Sequence, residues 1–115
     1  MKSFKREFSL EERKTQTRQA KEKYPDRIPV YVHKRDNSRC NDLTKHKYLV
    51  PNDITIGNFI YMIRKNINIK PDQAIFVFID NILPPNAELM STLYKKYCDD
   101  DGFLYISYSD ENVFG

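Results

Sequence analysis

The chain has few of the residues that build metal centres and disulfide frameworks. Its 115 residues include two cysteines, Cys40 and Cys98, three glycines and no tryptophan. The two cysteines form no CxxC or other metal-ligand spacing, so we expect no metal and no cofactor. In a reducing compartment, two free thiols are favoured over a disulfide.

Long hydrophobic runs are also missing. No apolar run approaches the roughly 20 residues that a membrane-spanning helix needs. The N-terminus is charged and lacks the apolar segment of a signal peptide, so we expect a protein that starts in the cytosol. With 40% hydrophobic and 30% charged residues, the composition is typical of one soluble globular domain.

The net charge of +3 conceals an uneven distribution. Basic residues outnumber acidic ones up to residue 70, and the reverse holds from residue 71 onward. A basic front half is compatible with acidic peptides, tubulin-like tails, anionic lipid or nucleic acid as partners. A plain solvated surface is the alternative.

Residues 9–23 are predicted to form a mostly polar helix. Ser9 and Glu12 have the spacing of a capping box, in which each side chain satisfies a backbone N–H at the start of the helix. Pro25 should end the helix. Because few apolar positions follow Ser9, this helix should pack only lightly, after a short turn that contains Phe4 and Phe8.

Two strands are predicted next. Residues 28–32 alternate, with Ile28, Val30 and Val32 on one face. A polar stretch at residues 34–46 separates them from a short, lysine-flanked strand at residues 47–50. We expect an antiparallel pair in which the second member is an edge strand.

The second half contains the clearest helix, at residues 56–68, started by Asp53 or Thr55. Its apolar stripe consists of Ile56, Phe59, Ile60, Ile63 and Ile67. Residues 74–79 are apolar throughout and are predicted to form a central strand buried on both faces. A further helix, marked by Met90, Leu93, Tyr94 and Tyr97, and a last strand at residues 103–108 complete an α+β sheet with helices packed on it.

Gly115 follows that last strand and a short polar run. An extended tail with a terminal glycine carboxylate is what ubiquitin-like proteins present to the enzymes that activate them. Glycine suits this chemistry because, without a Cβ, the tail can thread a narrow channel. Taken alone, a terminal glycine is a weak signal.

Several segments together resemble the autophagy ubiquitin-like modifiers, the family of GABA-receptor-associated protein and the microtubule-associated light chains (autophagy-related protein eight). The segments are YPDRIP at 24–29, KYLVP at 47–51, TIGNF at 55–59, IRK at 63–65, LPP at 83–85, DGFLYI at 101–106 and YSDENVFG at 108–115. The resemblance implies a ubiquitin-like β-grasp fold with two additional N-terminal helices. It divides the chain into a helical extension at 1–24, a core at 25–109 and a conjugation tail at 110–115.

The resemblance also implies a function in which this protein is a substrate and not an enzyme. A cysteine protease exposes the Gly115 carboxylate and later removes the lipid, activating and conjugating enzymes carry it as thioesters, and it is joined to phosphatidylethanolamine. Phe114 would help the tail reach these enzymes. Phe76 and Phe78 match positions that the family uses around conjugation, although a core role for both is favoured by the sequence alone. The implied location is the cytoplasm and, after lipidation, the autophagosomal membrane.

The second implied activity is recognition of aromatic-x-x-aliphatic motifs in cargo receptors, added as a strand to the edge at residues 47–50. The first pocket would use Gln16, Ala20, Pro29, Tyr31, Leu49 and Phe103. The second would use Tyr48, Val50, Pro51, Ile54, Phe59 and Met62. Acidic residues that flank the motif would pair with Arg27, Lys45, Lys47 and Arg64.

Four positions depart from the family pattern. Ala20 stands where relatives carry a larger aliphatic residue, Tyr31 where they carry Ile, His46 where they carry Lys, and Asn66 where they carry Arg. We therefore expect the same binding mode with a shifted partner preference. His46 is either a pH-dependent contributor to acidic-motif binding or a surface residue without a role.

Three other readings remain open. An enzyme would pair Cys40 or Cys98 with His33 or His46 as nucleophile and base, but no acidic partner or signature accompanies them. A nucleic-acid module is disfavoured because the aromatics have core spacing; RNA or tubulin binding would be a side activity. A peptide-binding adaptor that is never conjugated shares the fold and pockets and differs only at Gly115.

Overall fold

The computed structural model describes residues 2–112, which form four helices and four strands. In chain order these are α1 Lys2–Glu7, α2 Leu10–Lys23, β1 Arg27–Lys34, β2 Lys47–Pro51, α3 Ile56–Ile67, β3 Phe76–Phe78, α4 Met90–Tyr97 and β4 Leu104–Ser109. The order agrees with the sequence prediction. None of the helices within the described range is long and apolar enough to cross a membrane.

The four strands form one mixed sheet in the order β2-β1-β4-β3. β1 and β4 are central and parallel, whereas β2 pairs antiparallel with β1 and β3 pairs antiparallel with β4. The predicted edge position of β2 is confirmed. The overall architecture is that of a ubiquitin-like α+β fold.

The prediction that residues 74–79 form a central strand is wrong. Only Phe76–Phe78 are in a strand, and that strand lies at the edge of the sheet. Phe78 is nevertheless buried, because the guanidinium of Arg35 lies 4.5 Å from the centre of its ring. Because a residue distant in the chain covers this edge strand, its apolar composition does not distinguish it from a central strand.

The main core lies between one face of the sheet and helices α3 and α4. The alternating residues of β1 face it, together with Leu104 and Ile106 of β4. From α3 come Ile56, Phe59, Ile63 and Ile67, all nearly inaccessible to solvent, so the predicted apolar stripe is confirmed. Thr55 caps this helix through the N–H of Asn58.

A smaller aromatic cluster lies on the other face of the sheet, where α1 packs. The Phe4 ring stacks on that of Tyr31, with centroids 4.3 Å apart, and meets Phe103 edge-on at 5.5 Å. Phe8 and Tyr105 pack around these three residues. Phe4 thus fastens the N-terminal segment to the sheet. It lies in the short helix α1, the first of the two N-terminal helices that the resemblance implied.

Helix α2 is attached by polar groups more than by apolar ones. The capping box of Ser9 and Glu12 is present. Further along, Arg13 Nη1 donates to Asp101 Oδ2 at 2.7 Å, and Thr17 Oγ1 donates to the Asp101 carbonyl at 2.7 Å. Arg13 and Thr17 are the buried residues of α2, so the helix packs lightly in apolar terms but is held by a buried ion pair.

Asp101 is fully buried and serves several donors at once. Its Oδ1 accepts from the Phe103 N–H at 2.8 Å, and its Oδ2 accepts from the Tyr105 hydroxyl as well as from Arg13. The next residue is Gly102, with φ of 91°, where an added Cβ would approach Thr17 Oγ1 to 2.5 Å. This turn therefore needs a glycine to bring α2 close.

We predict that Asp101→Asn lowers the free energy of unfolding by about 3–5 kcal/mol, because it leaves Arg13 buried without a counter-charge. Urea unfolding at pH 7 measures the change. The matched control is Asp100→Asn, which removes the same charge from the neighbouring exposed residue and should cost less than about 0.5 kcal/mol. Equal effects of the two substitutions would contradict the role of the buried pair.

A second prediction concerns pH. Burial lowers the pKa of His33 to about 4, against about 6.5 in an unfolded chain. The stability that neutral His33 contributes is therefore complete above pH 6.5 and is lost as the pH falls towards 4. His33→Gln should reduce the loss of stability between pH 7 and pH 4.5, measured by urea unfolding; parallel pH profiles of the two proteins would refute this.

Candidate functional site

A cavity that matches the sequence prediction lies at the exposed β2 edge of the sheet. In the β1–β2 pair, Leu49 lies opposite Pro29 and Lys47 opposite Tyr31. A cavity of about 610 Å³ lies between this outer face of β2 and helix α2. Five of the six residues predicted for the first pocket line it: Gln16, Ala20, Pro29, Leu49 and Phe103.

Tyr31, the sixth residue, does not line this cavity. Its ring is buried between Phe4, at 4.3 Å, and the imidazole of His46, whose ring centre is 5.6 Å away. Burial raises the pKa of its hydroxyl. A tyrosine fits here because Phe4 of α1 covers it. Tyr31 lines the neighbouring cavity of about 450 Å³ instead, so this departure from the family pattern changes the packing of α1 and the wall of that smaller cavity.

His46 has a structural role that the sequence did not indicate. Its Nδ1 lies 2.8 Å from the Val32 carbonyl oxygen, and its ring stacks on Tyr31 with an interplanar angle of 13°. The imidazole thus fastens the start of β2 to β1. It also borders a smaller cavity of about 450 Å³ with Phe8 and Lys47, next to the first one.

Three of the four cations predicted to pair with acidic motifs border the 610 Å³ cavity, namely Arg27, Lys45 and Lys47. Each lies over an aromatic ring: Lys45 Nζ is 5.0 Å from the centre of Tyr48, and the Arg27 guanidinium is 5.0 Å from that of Tyr24. Lys47 Nζ donates to Gln16 Oε1 at 2.9 Å. These contacts restrict the cations to the mouth of the cavity.

Arg64, the fourth predicted cation, is used elsewhere. Its Nη2 donates to the carbonyl oxygens of Lys70 and Pro71, at 3.1 and 3.3 Å. It therefore ties the end of α3 to the turn that follows, and it is not among the residues that line the cavity.

The sequence reasoning missed three lining residues on α2 and its C-terminal end: Gln19, Lys23 and Tyr24. Lys23 and Tyr24 lie three and four residues after Ala20, the spacing that places side chains on one helix face. That spacing was the available signal. Since Ala20 is small, the longer neighbours form the wall around it.

The second predicted set is divided between the core and the surface. Tyr48, Val50 and Phe59 are buried in the main core, where the rings of Tyr48 and Phe59 meet edge-on with centroids 5.9 Å apart. Tyr48, predicted for the second pocket, also lines the 610 Å³ cavity. Met62 and Pro51 are exposed, and Ile54 is partly buried. A ligand at this end of the edge would contact Met62, Pro51 and Ile54 before any of the buried members.

Phe76 and Phe78 lie in β3, at the opposite edge of the sheet from β2. Phe76 is half-buried, and neither residue belongs to the main core cluster. Phe78 is 1% exposed, in keeping with the buried role favoured by the sequence, although it packs outside the main cluster. Phe78 borders a cleft of about 690 Å³ together with Arg35, Tyr105 and Ser107.

The groups of the enzyme alternative are divided between the core and one cleft. Cys40 is buried in the main core, whereas Cys98 is exposed and shares the 690 Å³ cleft with His33. Burial lowers the pKa of His33 to about 4, far from the value near 7 that suits a general base. Within residues 2–112, no group of three or more His, Cys, Asp or Glu side chains is placed to hold a metal ion.

The predicted conjugation site, Gly115, and the neighbouring Phe114 lie outside the described residues. The described part of the tail begins at Asp110, directly after β4. Asp110 Oδ1 accepts from the backbone N–H of Arg39 at 3.1 Å, so the root of the tail is fastened to the loop between β1 and β2.

Comparison with known proteins gives a consistent picture. A family model described as "Autophagy protein Atg8 ubiquitin like" matches residues 12–115. "Autophagy-related protein 8" of Schizosaccharomyces pombe is 57% identical over 112 residues, which cover 97% of this chain and 93% of that protein. "Autophagy-related protein 8d" of Arabidopsis thaliana is 52% identical over 113 residues, covering 98% and 94%.

Solved structures agree. The crystal structure of Trypanosoma brucei ATG8 superposes with a TM-score of 0.89 at 36% identity, covering 92% of this chain and 91% of that one. Plasmodium falciparum Atg8, in complex with a Plasmodium falciparum Atg3 peptide, gives a TM-score of 0.88 at 36% identity, with 96% and 98% covered. The chain belongs to the Atg8 family of ubiquitin-like autophagy proteins.

Proposed function

We propose that this protein is a ubiquitin-like modifier that is joined through Gly115 to phosphatidylethanolamine and, on autophagosomal membranes, recruits cargo receptors with aromatic-x-x-aliphatic motifs. It acts as substrate throughout and supplies no catalytic group. Its partners are the activating and conjugating enzymes, and a cysteine protease that processes and delipidates it. The unattached form is cytoplasmic.

The observation that supports motif recognition is the 610 Å³ cavity beside an edge strand. An extended peptide can pair with the open side of β2 while its aromatic side chain enters the space beside Ala20 and Leu49. Lys45 and Lys47 lie at the mouth, where they attract acidic residues before the aromatic one. The Plasmodium relative in the comparison binds a peptide of Atg3, which supports a peptide of the conjugating enzyme as one further occupant.

Three residues of the second predicted pocket support binding of the aliphatic residue of such a motif. Ile54, Pro51 and Met62 offer apolar surface between β2 and α3. The aliphatic side chain would rest on this surface, above buried Phe59.

We predict that Ala20→Phe fills the cavity and weakens binding of a synthetic Asp-Asp-Asp-Trp-x-x-Leu peptide by about tenfold or more. Fluorescence anisotropy of the labelled peptide measures the dissociation constant. The matched control, Ala87→Phe, makes the same change in an exposed loop and should bind as the unaltered protein does. Unchanged affinity in Ala20→Phe would exclude the cavity as the aromatic subsite.

Conjugation is tested separately with Gly115→Ala. In its own cells, the unaltered protein should show a membrane-bound pool whose intact mass exceeds that of the soluble pool by one phosphatidylethanolamine. This pool should be absent in Gly115→Ala, while peptide binding is retained. Ala20→Phe should reduce peptide affinity while Gly115 stays available, so any loss of lipid in this variant would report use of the cavity by the conjugating enzyme.

The alternative is a peptide-binding adaptor that is never conjugated, with tubulin or RNA binding as a side activity. It predicts one unmodified mass in both fractions under conditions that induce autophagy, and no effect of Gly115→Ala on membrane association. That outcome would overturn the modifier function and leave the cavity's function intact.

A further inference from the structure

The loop between β1 and β2 contains a serine at the point where the chain's tail is fastened. Ser38 Oγ accepts from the Cys40 N–H at 3.1 Å and lies 3.4 Å from Asp110 Oδ1, to which its hydroxyl donates. The same carboxylate oxygen accepts from the Arg39 N–H at 3.1 Å. One carboxylate therefore joins the loop to the segment that leaves β4.

The bond donated by the Arg39 N–H lowers the pKa of Asp110, so this carboxylate is ionised at neutral pH. Beyond it, the Glu111 N–H donates to Ser109 Oγ at 3.1 Å. The contacts of Asp110 with the loop thus hold the start of the tail in place. Any negative charge added at Ser38 would lie directly against the Asp110 carboxylate.

Three cations and one acidic residue, Asp36, flank Ser38, and the excess of positive charge favours a basophilic serine kinase. Lys34 and Arg35 lie four and three residues before it, and Arg39 follows it. A kinase with an acidic groove binds such a segment by charge complementarity. The segment belongs to a loop in which Asp36, Asn37 and Arg39 are exposed, and loops are the parts of a fold that modifying enzymes reach most easily.

Arg35 is partly engaged within the protein. Its guanidinium donates to Ser107 Oγ at 3.2 Å and to Asn81 Oδ1 at 3.3 Å, and it covers the Phe78 ring. A kinase that binds Arg35 must therefore detach this side chain from β3 and β4. Both side-chain hydrogen bonds are long and one of them is exposed. The backbone N–H of Arg35 also donates to the Tyr108 carbonyl at 2.9 Å, so the kinase has to displace the Arg35 side chain while this backbone bond can stay.

We propose that Ser38 is a phosphorylation site for a basophilic serine kinase, and that phosphate at this position releases the root of the C-terminal tail from the β1–β2 loop. The kinase transfers the γ-phosphoryl group of ATP to Ser38 Oγ. The bond from the γ-phosphorus to its bridging oxygen breaks, a new phosphorus–oxygen bond forms at Oγ, ADP leaves, and the hydroxyl proton passes to the kinase's base.

The tail is released because phosphorylation adds negative charge at Ser38 and removes its hydrogen-bond donor. A phosphoserine carries about −1.5 to −2 charges at pH 7 and offers only acceptors. The hydroxyl that donated to Asp110 is lost, and two negative groups replace a hydrogen bond at 3.4 Å. The Cys40 N–H keeps an acceptor at Ser38, so the loop's own turn is retained while the tail is repelled.

The first test is phosphorylation of the full chain by the catalytic subunit of cyclic-AMP-dependent protein kinase with MgATP. Ser9 also has an arginine three residues before it, Arg6, so the assay uses the Ser9→Ala protein. One phosphate, mapped to Ser38 by fragmentation mass spectrometry, is expected, with a rate about tenfold or more lower in Arg35→Ala. Absence of phosphate at Ser38 would overturn the proposal.

The second test follows Asp110 in the phosphorylated protein by NMR. The carboxyl pKa of Asp110, lowered in the unmodified protein, should rise, and the ¹⁵N relaxation of Asp110 and Glu111 should show increased mobility. The amide of Ile106 in β4 serves as control and should not change. Asp110→Asn should have increased mobility before phosphorylation and little further increase after it. Phosphate at Ser38 with Asp110 unchanged would refute release of the tail.

Discussion

The attachment of helix α2 depends on one buried carboxylate. Asp101 pairs with Arg13 of α2, accepts from the Phe103 N–H and the Tyr105 hydroxyl, and through its carbonyl accepts from Thr17. A buried ion pair is stabilising only when its remaining hydrogen-bonding groups are satisfied. Here they are, because Phe103 and Tyr105, two and four residues after Asp101, donate to its carboxylate alongside Arg13.

The edge cavity follows from this attachment. α2 supplies one wall and β2 the other, and Phe103, held two residues after Asp101, lies between them. Without the ion pair, α2 has few apolar contacts to keep it on the sheet, since its buried residues are Arg13 and Thr17. The cavity has walls from two separate parts of the chain. It thus depends on polar contacts made by residues that do not line it.

The two edges of the sheet are protected in different ways. At β2, lysine side chains rest over aromatic rings and leave the backbone edge open to an added strand. At β3, the strand is only three residues long and Arg35 covers Phe78. Charged residues and short strands are common means of preventing edge-to-edge association. One edge is therefore open to an added strand, while the other is largely closed by the protein's own loop.

The sequence by itself determined what depends on neighbours along the chain. The apolar stripe of α3, the capping box of Ser9 and the alternation in β1 are local patterns, and each element formed where its pattern indicated. The family resemblance placed five of six first-pocket residues around one cavity. Only the tertiary structure decided that β3 lies at an edge, that Tyr31 is covered by Phe4, that Arg64 is bound to Lys70 and Pro71, and that Asp101 holds α2. Each of these depends on contacts between residues distant in the chain, and periodicity carries no information about which distant segment will cover a given side chain.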